Sequence, residues 1–260
     1  MTTTTMTDAP SPAEPVVRKL SIADIDAALA AGGRDFRRAP FYGLFFSSVY
    51  VLAGIALWVV FTLKGQVWWI IPFAGGFPLV APFAAVGLYE VSRRLEKGEP
   101  LRFGSILGVI WKQRQGQLPF MIVVIFFVFM AWILLAYGLF AAFFGTMTMG
   151  NLSEPLDFIA SLRGIAMFAV GSMLGGLLAG LLFALTVISM PMLLERDVDF
   201  VTAMRTSVAV CLANPRVMAS WAGLIASFLM VAMVPAFLGL FIALPVLGHA
   251  SWHLYRRALD

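Results

Sequence analysis

Cysteine is almost absent from this chain: Cys211 stands alone among 260 residues. One thiol closes no intrachain disulfide and builds no multi-cysteine metal cluster. Histidine is nearly as scarce, with His249 and His253 the only two. Charge is thin as well. Asp, Glu, Lys and Arg make up 12% of the residues, where an ordinary soluble domain has about a quarter. None of the charged residues lies deep in an apolar run, since Glu90 and Arg163 sit at run ends. Ion- and proton-coupled carriers keep such groups inside, at roughly 3 kcal/mol each. There is no Walker loop, no G-x-G-x-x-G, no H-E-x-x-H and no G-x-S-x-G, so none of these motifs points to catalysis.

Hydrocarbon takes the place of charge: 61% of the residues are hydrophobic, an excess that only lipid can hide. Apolar runs occupy 41–63, 67–89, 118–145, 164–190 and 217–255. The first four meet the requirement of about 20 residues for a spanning helix. The last would measure about 58 Å as one helix at 1.5 Å per residue, too long for a hydrocarbon core of roughly 30 Å. It is expected to fold back near Pro235. The expected fold is therefore an all-α membrane protein with six transmembrane helices arranged as three hairpins. Residues 1–15, "MTTTTMTDAPSPAEP", show no basic and apolar leader pattern and read as a disordered tail ahead of a membrane domain over 16–260.

Basic residues divide unevenly between the two sides of this topology. Arg18, Lys19, Arg34, Arg37 and Arg38 precede the first span, and Arg93, Arg94, Lys97, Arg102, Lys112 and Arg114 follow the second. Arg196, Arg205 and Arg216 follow the fourth, and Arg256 and Arg257 close the chain, against only Lys64 and Arg163 opposite. The positive-inside rule places both termini in the cytoplasm of a bacterial inner membrane. The net charge of +4 then reflects basic rims facing anionic headgroups and calls for no nucleic acid.

Each hairpin follows a short amphipathic segment. Ile22, Ile25, Leu29 and Phe36 share a face in the first, with Ser21 and Asp24 placed to cap its start. Phe103, Ile106, Leu107, Ile110 and Trp111 do so in the second, and Val201, Met204, Val208, Cys211 and Leu212 in the third. Pro40, Pro119 and Pro215 follow the three segments. These segments are expected to lie as cytoplasmic interfacial helices. A shift of 163 residues lays Pro72, Gly76, Pro82, Tyr89, Arg93 and Arg94 on Pro235, Gly239, Pro245, Trp252, Arg256 and Arg257. This suggests repeat units at about 20–97, 98–196 and 197–257.

The stretches "VRKLSIADIDAALAAGGRDFRRAPFYGL", "GLYEVSRRLEKGEPLRF" and "LPVLGHASWHLYRR" resemble an uncharacterised family of predicted bacterial integral membrane proteins, common in alphaproteobacteria. Some members carry a label likening them to cytochrome c oxidase subunit I. The resemblance implies a membrane topology and little chemistry: the residues do not support an oxidase core, which takes about six histidines in that family, and only the label prompts an accessory or assembly role beside a respiratory complex.

His249 and His253 lie four apart on one helix face. That spacing can chelate one metal ion, but both rings cannot be axial ligands of one haem. Under the 163-residue shift their places are held by Val86 and Glu90. With Trp252, Arg256, Arg257, Arg93 and Arg94 they read as an interfacial anchor that contacts lipid or a partner, with no metal and no cofactor. Gly171/Gly175 and Gly176/Gly180 form two G-xxx-G pairs, read as helix packing inside the bundle or as a dimer or partner face. Pro72, Gly75, Gly76, Pro78 and Pro82 could break a span as in transporters, and Met147 with Met149 could offer thioethers to Cu(I). The function expected is that of a non-enzymatic multi-pass protein working through contacts with lipids, a membrane-protein partner or a second copy. The alternative is a small permease for an apolar or weakly polar solute.

Overall fold

The computed structural model describes residues 16–63, 82–113, 116–145 and 161–260. Among them the chain forms ten helices. They are α1 (Ile22–Arg38), α2 (Pro40–Leu63), α3 (Pro82–Lys97), α4 (Phe103–Gln113) and α5 (Leu118–Phe144), then α6 (Leu162–Thr186), α7 (Ser189–Glu195), α8 (Phe200–Ala213), α9 (Pro215–Met233) and α10 (Leu240–Ala258). The β-structure among these residues is a single antiparallel bridge, Val17 to Leu259. Pro72, Gly75, Gly76, Pro78, Met147, Met149 and the 1–15 tail lie outside the described residues.

Local chemistry sets the breaks. All three segments expected ahead of the hairpins are helices (α1, α4 and α8), and Pro40, Pro119 and Pro215 stand in the first turns of the helices that follow. A proline there gives up a backbone N–H that would have no intrahelical partner anyway. Ser21 donates from both its backbone N–H and its hydroxyl to Asp24 Oδ2, at 2.9 and 2.7 Å, which closes the start of α1. The Asp199 carboxylate accepts from the Thr202 N–H at 2.9 Å and caps α8. The 164–190 run bends between α6 and α7 because Pro191 has no N–H to return to the carbonyl four residues back. The Ile188 N–H donates instead to Ser207 Oγ, at 3.1 Å.

The 217–255 run breaks where expected, at 234–239. Ala236 and Phe237 turn the chain with φ of 50° and 66°, each costing on the order of 1–3 kcal/mol for a residue with a side chain. Phe237 lays its ring on Gly54 of α2, where a Cβ would come within 2.8 Å of the ring. Burial of that ring offsets part of the strain.

Among the described residues four helical segments are long and apolar enough to cross a bilayer: α2, α5, α6 with α7, and α9. Six were expected. Of the run 67–89 only the part from Pro82 onward, in α3, is described. The other expected span, α10, carries His249, His253, Arg256 and Arg257 and is heavily enclosed, with 13 of its 19 residues buried. By contrast, only 17% of the most apolar stretch of α5 is buried, and Phe127 and Leu134 stand fully out from it. This inside-out arrangement has a physical reason. A helix against lipid must be apolar all round, whereas one wrapped by protein can keep polar groups if neighbouring helices pair them. Exposed apolar surface on this scale does not survive in water.

α1 departs from the interfacial expectation. It buries Ile25, Ala28, Ala31, Gly32 and Asp35 by lying lengthwise along α10. Its apolar stripe therefore faces protein, although Ile22 remains half exposed. The contact is close: a Cβ on Gly32 would meet the Ala250 nitrogen and the Val246 carbonyl oxygen at 2.6 Å. The two ends of the chain are stitched together beside it. The Arg18 N–H donates to the Ala258 carbonyl at 2.9 Å, and Asp260 returns a bond to Val16 at 3.2 Å. Asn214 Oδ1 accepts from the Leu20 N–H at 2.7 Å, holding this strap on the α8–α9 corner.

Candidate functional site

The last three turns of α10 form a polar collar into which α1, α3 and α7 reach. Asp35 of α1 sits at its centre with 6% of its surface exposed. The Ser92 hydroxyl of α3 lies 2.9 Å from Asp35 Oδ2 and 2.8 Å from His249 Nδ1. His253 Nε2 lies 2.7 Å from the same Asp35 oxygen. One proton arrangement satisfies all three contacts: His253 Nε2–H and the Ser92 hydroxyl donate to Asp35, and His249 Nδ1–H donates to Ser92 Oγ. Burial pushes the Asp35 carboxyl up, but the hydrogen bonds from His253 and Ser92 outweigh it and hold the group below the usual carboxylate range. His249 Nε2 is sealed beside the Leu88 backbone without a well-formed hydrogen bond.

Around this centre the remaining polar groups close in pairs. Glu90, fully buried, accepts from Arg93 at 2.7 and 2.9 Å and from Arg94 at 2.6 Å. The Trp252 indole N–H donates to Glu96 at 3.0 Å, and the Tyr255 hydroxyl donates to Glu195 at 2.7 Å. Arg256 bridges the same two carboxylates, each at 3.1 Å, and so ties α3 to α7 through α10. Arg257 reaches Asp24 of α1 at 3.2 Å. Of these ion pairs only the Glu90 pairing is buried; removing Arg93 and Arg94 from it would cost about 3–5 kcal/mol, because the Glu90 charge is left unmatched.

The anchor expected from the sequence is thus corrected for two of its members. His249 and Trp252 have no accessible surface, so neither reaches a headgroup. The bundle packs around them because their neighbours supply the hydrogen bonds that water or lipid would otherwise provide. His253 is partly exposed, and Arg93, Arg94, Arg256 and Arg257 are ion-paired within the chain. Asp35, Ser92 and Glu96 are the residues that sequence reasoning missed. Asp35 did carry a signal, since it falls on the apolar stripe of α1 with Ile25, Ala28 and Gly32, where an acid needs a partner. Glu195 of α7 reaches α10 through Tyr255 and Arg256.

A hydroxyl, an imidazole and a carboxylate now stand together, yet their order is not that of a hydrolytic triad. There the imidazole lies between hydroxyl and carboxylate and takes the hydroxyl proton. Here the hydroxyl lies between the other two, and Ser92 is fully buried. The arrangement locks three helices to one another. Among the described residues no three His, Cys, Asp or Glu side chains are placed to hold a metal ion.

Beside the collar, the two G-xxx-G pairs on α6 separate. Gly175 takes the Trp132 ring of α5, which a Cβ would meet at 2.7 Å, and Gly171 takes Leu139 at 3.2 Å. Gly176 and Gly180 face open space, as does Gly223 on α9. These three line the mouth of an apolar cavity of about 390 Å³. Its floor is made by buried Leu88, Leu244, Leu247 and Gly248. Its three hydroxyls are engaged: Thr186 donates to the Leu182 carbonyl at 2.7 Å, Ser251 donates to Leu247 at 2.8 Å, and the Tyr89 hydroxyl is hydrogen-bonded with Ser251.

No curated protein and no solved structure is detectably similar to this chain. With its lipid-type helices on the outside and its polar groups folded inward, the chain is a multi-pass integral membrane protein, and its residues 70–195 match the DUF2189 family, described as a predicted integral membrane protein.

Proposed function

We propose that this protein is a non-enzymatic component of a bacterial inner membrane that acts through contacts with a membrane-protein partner or with lipid. An accessory or assembly role beside a respiratory complex is one concrete form. In this reading six helices cross the membrane as three hairpins, with both termini cytoplasmic. The pairing of Val17 with Leu259 supports an even number of crossings, and the basic asymmetry of the sequence supports the orientation.

One observation carries the contact reading. The polar side chains of α10 are paired within the chain, while the accessible cavity beside them is apolar, with small residues at its mouth. A permease for a weakly polar solute needs polar groups turned into its cavity, and here the hydroxyls of the wall are engaged within the chain; a permease for an apolar solute is separated from the contact reading by flux. The test is a photo-crosslinking amino acid at Leu177 or Met230, both exposed on helices flanking the cavity, compared with Leu134 on α5. The contact reading expects a discrete adduct from the first two sites that Leu134 does not give. Solute flux through proteoliposomes above that of protein-free vesicles, without such an adduct, would move the function to the permease.

A further inference from the structure

We infer that the cavity between α6 and α9 is a binding site for a single lipid acyl chain. The inference rests on the lipid half of the contact reading. The cavity is open where Gly176, Ala179 and Gly180 of α6 face Gly223 and Ala226 of α9, all exposed, and closed where α3 and α10 form the floor. From Gly176 to Val187 it follows α6 for about 16 Å at 1.5 Å per residue. That reach and an apolar lining suit one hydrocarbon chain. The volume agrees: an apolar cavity of roughly 150 Å³ takes a six-carbon ring, so this one takes on the order of sixteen carbons. The hydroxyls of the wall are already engaged: Thr186 and Ser251 are bonded to their own helices, and the Tyr89 hydroxyl is hydrogen-bonded with Ser251. Left empty, such a cavity forfeits the dispersion contacts of its lining, and in hydrocarbon a chain enters it without the cost of leaving water.

The probe is a phosphatidylglycerol with a diazirine on one acyl chain, irradiated in vesicles holding the full-length protein, followed by peptide mapping. Adducts are expected to concentrate on 176–187 and 222–229 above the level found on the lipid-facing surface of α5. Gly180→Leu with Gly223→Leu should fill the mouth and bring those adducts down to the α5 level, and Gly138→Leu on α5 should leave them unchanged. None of the three glycines has an atom within 4 Å of an added Cβ, so the variants should fold. If the double variant does not fold, the adduct distribution in the unsubstituted protein decides the question. Adducts spread evenly over both surfaces would overturn the inference. So would a cysteine at Gly223 that crosslinks to a second copy, or to residues 64–81 of its own chain. A protein adduct from Leu177 without groove lipid labelling would sink the acyl-chain site and leave the contact reading standing; neither adduct would sink both.

Discussion

Adjacent glycines should respond to the same substitution in opposite directions. Gly32 and Gly33 follow one another on α1, and alanine is the better helix former by about 0.5–1 kcal/mol at either position. At Gly33 nothing lies within 4 Å of the added methyl, so Gly33→Ala should stabilise the protein by about that amount. At Gly32 the methyl would meet the Ala250 nitrogen and the Val246 oxygen at 2.6 Å and the Ala250 Cα at 2.9 Å. These are backbone atoms of α10, and relief requires the two helices to part. Overpacking of this kind costs about 1–3 kcal/mol, and a clash with rigid backbone belongs at the upper end. After the propensity gain, Gly32→Ala should destabilise by about 2 kcal/mol, which leaves the two variants about 3 kcal/mol apart. For a chain of this size that corresponds to about 6–12 °C in Tm. Thermal unfolding in mild detergent, followed by tryptophan fluorescence at one scan rate for both variants, measures it. Equal shifts would refute the packing of α1 on α10 and restore a helix lying free in the interface.

Asp35→Asn should lower stability at neutral pH by about 1–3 kcal/mol, because Ser92 and His253 lose a charged acceptor. The lowered carboxyl pKa gives the pH dependence its sign: the stability Asp35 contributes is present above its unfolded value of about 3.9 and lost as pH falls through the folded value. The variant should therefore show a shallower acid loss than the parent, and identical acid limbs would count against the cluster. Replacing His249 and His253 together with tyrosine should destabilise the protein by about 1–3 kcal/mol, since His249 has no room to grow. Elemental analysis of the purified parent should find no stoichiometric copper, zinc or iron; one ion per chain, lost in the double variant, would overturn that reading. Introduced cysteines at Lys64 and Ser153 should react with an impermeant maleimide from outside, and one at Lys97 should not. Native Cys211 should react slowly with a membrane-permeant maleimide at pH 7, because burial pushes its thiol up to about 11, and rapid labelling of Cys211 would contradict its packing in α8.

What the sequence determined by itself is what depends on neighbours along the chain. The excess of hydrocarbon requires lipid, Pro40, Pro119 and Pro215 start helices, and a 39-residue run must fold back because it is longer than a membrane is thick. Those statements need no partner. The tertiary structure decided which faces meet. Asp35 and His253 are 218 positions apart in the chain, and no local pattern records that their hydrogen bond exists. Gly171/Gly175 and Gly176/Gly180 are the same motif on one helix, yet an offset of five residues, about 140° around the axis, gives the first pair to Leu139 and Trp132 and the second to an open cavity. The polar end of α10 read as an edge because Trp, His, Tyr and Arg favour interfaces. Folding made it the centre, because Asp24, Asp35, Glu96 and Glu195, carried on three other helices, converge on it and supply inside the protein the partners that such side chains otherwise seek at the membrane surface.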